Sequence, residues 1–262
     1  MTARFVWHDL MSTDPEKATA FYTQLFGWRV NPMPMGEYTY NMLMNGPDDQ
    51  AGFGGINPLD PAQGMPSHWM CYLNMPQGVD AACAKIVELG GTVVQQPFDI
   101  PGIGRMAVAA DPQGAVFSPF ESFQQPDPPP PPYPTPKGGV TWHELMAPDP
   151  AAAASFYTQL TGLTSSIEDM GTGPYTLLMG DGENDYRAGI WPMPEGMPPN
   201  AAWMIYFEIA QETMDEALAE VTRLGGTVNM GPMEVPTVGV IGVATGPTGA
   251  VFGLMKSAPM PG

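Results

Sequence analysis

Apolar and polar residues alternate from the start of the chain. In Phe5–Leu10, Val6, His8 and Leu10 share one face, and Phe5, Trp7 and Asp9 share the other. That period predicts a strand. Asp14-Pro15 then reads as a helix N-cap followed by proline in the first turn. Ala18, Phe21, Tyr22, Leu25 and Phe26 follow at helical spacing and form a single apolar stripe, and Gly27 closes the helix. Short strands are expected at Trp28–Pro32, Tyr38–Met44 and Gly52–Asn57. The order then recurs. His68–Leu73 reads as a strand, Val79–Leu89 as a helix stopped by Gly90-Gly91, and Thr92–Gln96, Arg105–Ala109 and Val116–Glu121 as strands. The turn Asp111-Pro112-Gln113-Gly114 joins the last two as a hairpin.

The pattern is duplicated. DPEKATAFYTQLFGW near the start matches DPAAAASFYTQLTGL later, VWHDLM matches TWHELM, ELGGTV matches RLGGTV, and DPQGAVF matches GPTGAVF. Tyr22 recurs as Tyr157 and His8 as His143, both at a spacing of 135 residues. A register kept from end to end marks a repeated domain. The reading is therefore a first domain at 1–123, a linker at 124–139 and a second domain at 140–262. The linker, QQPDPPPPPYPTPKGG, lacks many backbone donors and favours extended polyproline II, which suits a semi-rigid spacer. Each half is expected to carry its own core and the linker to be open to protease.

Composition narrows the function classes. The net charge is −18, and both halves are acidic, so nucleic acid and anionic membranes would be repelled. No apolar run is long enough for a membrane span, and MTARFVWHDL lacks a signal-peptide core. A cytoplasmic protein is expected, as a monomer or homodimer, with a small molecule as partner. The two cysteines, Cys71 and Cys83, read as buried thiols. The 21 methionines could fill cores or line a pliable pocket.

The three histidines, His8, His68 and His143, all stand near the start of a module's first strand. Taken singly, each fits a core or surface role. Glu121 ends the apolar run of a last strand, where a buried carboxylate needs a partner. Two imidazoles and a carboxylate suit a borderline or hard divalent ion: an Fe(II) facial triad, or catalytic zinc or manganese with bound water. Arg105 could bind an anionic substrate group, and Tyr38, Tyr40 and Tyr72 could line a site; surface and packing roles explain these residues as well.

Paired βαβββ modules, His8 on a first strand, the Asp111–Gly114 hairpin and Glu121 on a final strand together resemble the glyoxalase/bleomycin-resistance/extradiol-dioxygenase (vicinal oxygen chelate) superfamily. The resemblance covers both halves and implies an α+β fold of four modules, arranged as two half-open eight-stranded cups. It further implies a metal site at His8, His68 and Glu121, holding one divalent ion (Fe, Mn, Ni or Zn) that chelates vicinal substrate oxygens and stabilises an enolate or oxyanion. The reaction would then be that of a lyase, dioxygenase or hydroxylase. Gly52–Asn57 offers no fourth carboxylate of the glyoxalase I kind. In the second half Ala202 stands opposite His68, Lys256 opposite Glu121 and Val240 opposite Arg105, so that site is expected to be degenerate. If modules pair between halves, His143 replaces His8; pairing within a half is the favoured arrangement. The alternative function is non-catalytic sequestration of a small molecule, as in bleomycin-binding proteins.

Overall fold

The computed structural model describes the chain apart from residues 1–2, 37, 47–51, 125–134, 172, 183–184, 195, 197–200 and 259–262. Most of the proline-rich linker thus lies outside the described residues.

All four modules form as the periodicity predicts. The first is β1 (Phe5–Ser12), α1 (Pro15–Phe26), β2 (Arg29–Met35), β3 (Tyr38–Met44) and β4 (Gly52–Pro58). The second is β5 (His68–Asn74), α2 (Val79–Glu88), β6 (Thr92–Ile100), β7 (Gly104–Ala110) and β8 (Val116–Ser122). The third is β9 (Val140–Ala147), α3 (Pro150–Thr161), β10 (Thr164–Asp169), β11 (Pro174–Met179) and β12 (Tyr186–Pro192). The fourth is β13 (Ala202–Glu208), α4 (Met214–Arg223), β14 (Thr227–Val235), β15 (Gly239–Thr245) and β16 (Val251–Ser257).

Helix starts follow the sequence signals. The Asp14 carboxylate accepts the Lys17 amide at 3.0 Å, and Asp149 does the same for Ala152. Gly27 closes α1 with φ 74°, a left-handed conformation that glycine adopts without Cβ strain. In each module the first strand runs parallel to the fourth, as β1 with β4 and β5 with β8, and the remaining neighbours are antiparallel hairpins. The strand orders are β2-β3-β4-β1-β5-β8-β7-β6 and β10-β11-β12-β9-β13-β16-β15-β14, two open eight-stranded mixed sheets. The fold is α+β, with four α-helices and sixteen strands among the described residues.

The sheets follow the sequence duplication, but the compact units of packing do not. One unit gathers the first and fourth modules, and the other gathers the second and third. The residues explain this. In the first unit, α1 is apolar on more than one side. Tyr22 and Phe26 stack with Trp28 at ring distances of 5.8 and 4.7 Å. On their other sides Phe21 and Tyr22 meet Phe252 of β16, and Phe26 meets Phe207 of β13 at 5.2 Å. In the second unit, Tyr157 of α3 meets Phe117 of β8 at 5.7 Å. Its hydroxyl donates to Asp111 at 3.2 Å and accepts from the Trp203 indole at 2.9 Å. Gln113 exchanges hydrogen bonds with the backbone of Asp149, and Gln77 donates to the Leu160 carbonyl. Helices α1 and α3 therefore each bury aromatic area against a module from the opposite half, and that area dominates the local energetics.

Candidate functional site: a tryptophan–tyrosine–carboxylate cluster on each half

The alternation of β1 separates two faces. Leu10 is fully buried with Leu43 of β3 and Ile56 of β4, on the side that also buries α1. Trp7, Asp9 and Met11 point the other way. Parallel pairing sets Asp9 beside Gly55, and antiparallel pairing sets Gly55 beside Met42. A Cβ at Gly55 would run into the Tyr40 ring, so glycine there lets the tyrosine lie flat across the sheet. The three polar tips then meet. The Tyr40 hydroxyl donates to Asp9 Oδ1 at 2.7 Å, and the Trp7 indole N–H reaches both the Tyr40 oxygen at 2.7 Å and Asp9 Oδ1 at 3.1 Å. Asp9 is 5% exposed, and Met11, Met33, Met35 and Met42 are half-buried.

The second half repeats this arrangement on β9, β11 and β12. Glu144 sits beside Gly189, and a Cβ there would collide with Tyr175. The Trp142 indole donates to the Tyr175 hydroxyl at 2.7 Å, and that hydroxyl donates to Glu144 Oε2 at 3.1 Å. Burial, and then the neighbouring Glu144 charge, hold the Tyr175 phenol well above its ordinary range. It therefore stays a donor, which keeps the carboxylate hydrogen-bonded. Trp191 stands beside Met146, and its ring lies 5.5 Å from Tyr175.

The residues singled out as metal ligands lie elsewhere. His8 is on the Leu10 face, buried, with Nδ1 3.0 Å from the Phe53 carbonyl. Desolvation drives its pKa down to about 4, partly opposed by that hydrogen bond. His68 alternates with Met70 and Tyr72 at the start of β5, half-buried, with Nδ1 2.9 Å from the Pro66 carbonyl. Glu121 accepts the Val79 amide at 3.3 Å. It thereby caps α2, whose N-cap residue, Gly78, has no side chain to do so. His143 is buried and stacked on Phe5 at 4.1 Å. Among the described residues no group of three or more His, Cys, Asp or Glu side chains could hold a metal ion. The described residues do not gather His8, His68 and Glu121 into such a group.

Arg105 is committed to two carboxylates of its own chain. Its guanidinium forks onto both oxygens of Asp80 at 2.8 and 3.0 Å and reaches Asp99 at 2.6 Å. Tyr72 is buried with its ring edge-on to Phe120. The Tyr38 side chain lies outside the described residues, although its backbone belongs to β3. Cys71 and Cys83 are buried free thiols. Sequence reading passed over Asp9, Glu144, Trp7 and Trp142. The available signal was the repeated W-H-[DE]-L, in which the flanking residues, not the histidine, take the helix-free face.

This chain is 33% identical over 258 residues to the "Putative glyoxylase CFP32" of Mycobacterium bovis, covering 97% of this chain and 94% of that protein. A family model described as bleomycin resistance protein-like N-terminal matches residues 4–41. The chain belongs to the glyoxalase/bleomycin-resistance superfamily. Within it, this member is also 28% identical over 241 residues to the "Anthracycline biosynthesis protein DauV" of Streptomyces sp. strain C5, covering 88% of this chain and 85% of that protein. Two solved structures share the fold of this superfamily member. The Mn(II)-bound glyoxalase from Novosphingobium aromaticivorans is 17% identical, with a TM-score of 0.65, covering 97% of this chain and 82% of that one. The 2,2',3-trihydroxybiphenyl 1,2-dioxygenase from Sphingomonas wittichii strain RW1 is 15% identical, with a TM-score of 0.66, covering 98% and 91%. Among the described residues, no helix of this superfamily member is long and apolar enough to cross a membrane.

Proposed function

We propose that this chain binds a small organic molecule on the helix-free face of each half, at Trp7–Asp9–Tyr40 and at Trp142–Glu144–Tyr175, without a His-His-Glu metal centre. The observation that carries this reading is the duplication of the cluster. The same indole, phenol and carboxylate meet at equivalent positions of both copies, each beside a glycine that makes room for the tyrosine. Half-buried tryptophan and methionine supply apolar contact area, and the carboxylate supplies an anchored acceptor for a ligand hydroxyl or N–H. Relatives described as a putative glyoxylase and as an anthracycline biosynthesis protein support a small-molecule role. The dispersal of His8, His68 and Glu121 favours this reading over divalent-metal enolate chemistry.

The test pairs metal loading with ligand titration. Protein incubated with Fe(II), Mn(II), Ni(II) and Zn(II), then desalted, should retain far less than one ion per chain. Titration with 1-naphthol, a neutral planar molecule with one hydroxyl donor, should quench tryptophan emission saturably. The Trp7→Ala/Trp142→Ala double variant should abolish that quenching. One tightly held ion per chain, lost in Glu121→Ala, would overturn the reading in favour of the metal enzyme.

A further inference from the structure

The two faces share their cluster but differ at one neighbouring position. Two residues beyond Gly55 on β4, Asn57 pairs with Met11 of β1. Two residues beyond Gly189 on β12, Trp191 pairs with Met146 of β9. Strand alternation puts each on the same face as its glycine. The Trp191 ring lies 5.5 Å from the Tyr175 ring and tilts by 51° against it. The second half therefore lays an indole of its own beside the tyrosine, where the first half has only a carboxamide. Met11 and Asn57 are half-buried, so solvent reaches their position. The walls differ in the same sense. Met33 pairs with Tyr40, whereas Glu168 pairs with Tyr175. A Cβ at Gly52 would meet the Met42 sulfur at 2.6 Å and the Trp7 ring tip at 3.3 Å, so thioether and indole lie together over that glycine.

We infer that the first face takes a longer fused-ring aromatic ligand than the second, with one end of the ligand lying at Asn57 as the Trp191 indole lies in the other half. This rests on the small-molecule reading and names the shape of the ligand. The duplication supplies the template. Trp191 shows what kind of group packs beside the tyrosine of this cluster, and exchange of an indole for a carboxamide leaves room there for a flat ring from outside. Aromatic rings pack edge-on or offset at roughly 4.5–7 Å, so a ligand ring at Asn57 would repeat the contact that Trp191 makes with Tyr175. Thioethers adapt to irregular outlines and make favourable contacts with ring edges, which suits Met11, Met33 and Met42 to the border of such a ligand. In the second half an extended apolar ligand would meet Trp191 and would desolvate Glu168. The selection is one of shape and apolar contact. It needs no free charge on Asp9 or Glu144, both of which accept hydrogen bonds from their tyrosines.

The experiment compares 1-naphthol with 9-phenanthrol, which adds one fused ring and keeps a single hydroxyl. Full-length protein is dialysed to equilibrium against each, and bound ligand is counted per chain. 1-Naphthol should bind at about two sites per chain and 9-phenanthrol at about one. Asn57→Trp copies the second half into the first and should weaken 9-phenanthrol about tenfold more than 1-naphthol. Trp191→Asn makes the reverse exchange and should create a second 9-phenanthrol site, a gain that misfolding cannot mimic. Val87→Trp, the same kind of addition at an exposed position of α2, is the control and should leave both counts unchanged. Two equal 9-phenanthrol sites in the native chain would overturn the assignment. So would 9-phenanthrol binding unaltered by Asn57→Trp, or a count that stays at one in Trp191→Asn. Failure of 9-phenanthrol alone, with 1-naphthol still binding, would reject the longer site and leave the small-molecule reading in place; failure of both ligands would reject both readings.

Discussion

At the scale of single residues, His8 shows how burial controls the charge of a side chain. His8 lies in the core against the Phe53 carbonyl, and its charged form is disfavoured by burial. Its folded pKa of about 4 lies below the unfolded value of 6.5. Between those values the unfolded chain binds the extra proton, so stability rises with pH. The contribution is complete above about pH 6.5 and is lost as pH falls from there towards 4, by at most roughly 3 kcal/mol. His8→Gln should remove that part of the acid limb. Urea denaturation of both proteins at a series of pH values checks it, and parallel pH profiles would contradict it.

At the scale of elements, the helix-free faces depend on glycine. Gly55 on β4 and Gly189 on β12 stand where any Cβ would enter a tyrosine ring. Replacing either by alanine should expel Tyr40 or Tyr175 and break its hydrogen bond to Asp9 or Glu144. A cost of about 1–3 kcal/mol is expected from overpacking. Gly189→Ala should also red-shift the emission of Trp142 and Trp191 and abolish saturable quenching by 1-naphthol at that face. Gly36, in the turn between β2 and β3, meets nothing within 4 Å, and its φ of 72° makes it a conformational control. Loss of stability there without loss of quenching would separate the two effects. Unchanged ligand quenching in Gly189→Ala would count against the face as a binding site.

At the scale of the whole molecule, the sheets are built within halves and the cores between them. Phe21, Tyr22 and Phe26 of α1 find Phe207 and Phe252 only in the fourth module. A chain of residues 1–123 alone would expose that aromatic surface. It should therefore aggregate, or associate with a second copy that supplies the missing contacts. Light scattering after size exclusion distinguishes the outcomes. A stable 1–123 monomer with a cooperative melt would show that the half carries a sufficient core of its own. In the full chain, Phe207→Ala should cost about 3–5 kcal/mol, because Phe26, Trp28, Trp69 and Phe53 all touch that ring.

The sequence by itself determined the local structure. Period-two alternation marked β1, and Asp-Pro and Gly marked the ends of α1 and α3, because these signals depend on neighbours a few residues apart; the 135-residue register marked the duplication. It also carried the superfamily, since paired modules and the final hairpin are local patterns repeated. The partners of each module and the face taken by each side chain were decided only in three dimensions. A one-residue step along β1 separates His8, on the Leu10 face, from Trp7 and Asp9 on the other, and composition gives no sign of which way the strand is turned. The bond from the Val79 amide to Glu121, beside a glycine N-cap on α2, appears only in the folded chain. Trp7, Tyr40 and Asp9 come from strands 31 residues apart and become a cluster only when β4 lies between β3 and β1 with Gly55 in register. Long-range register of this kind is set by tertiary packing, which is why the cluster was legible only in the folded chain.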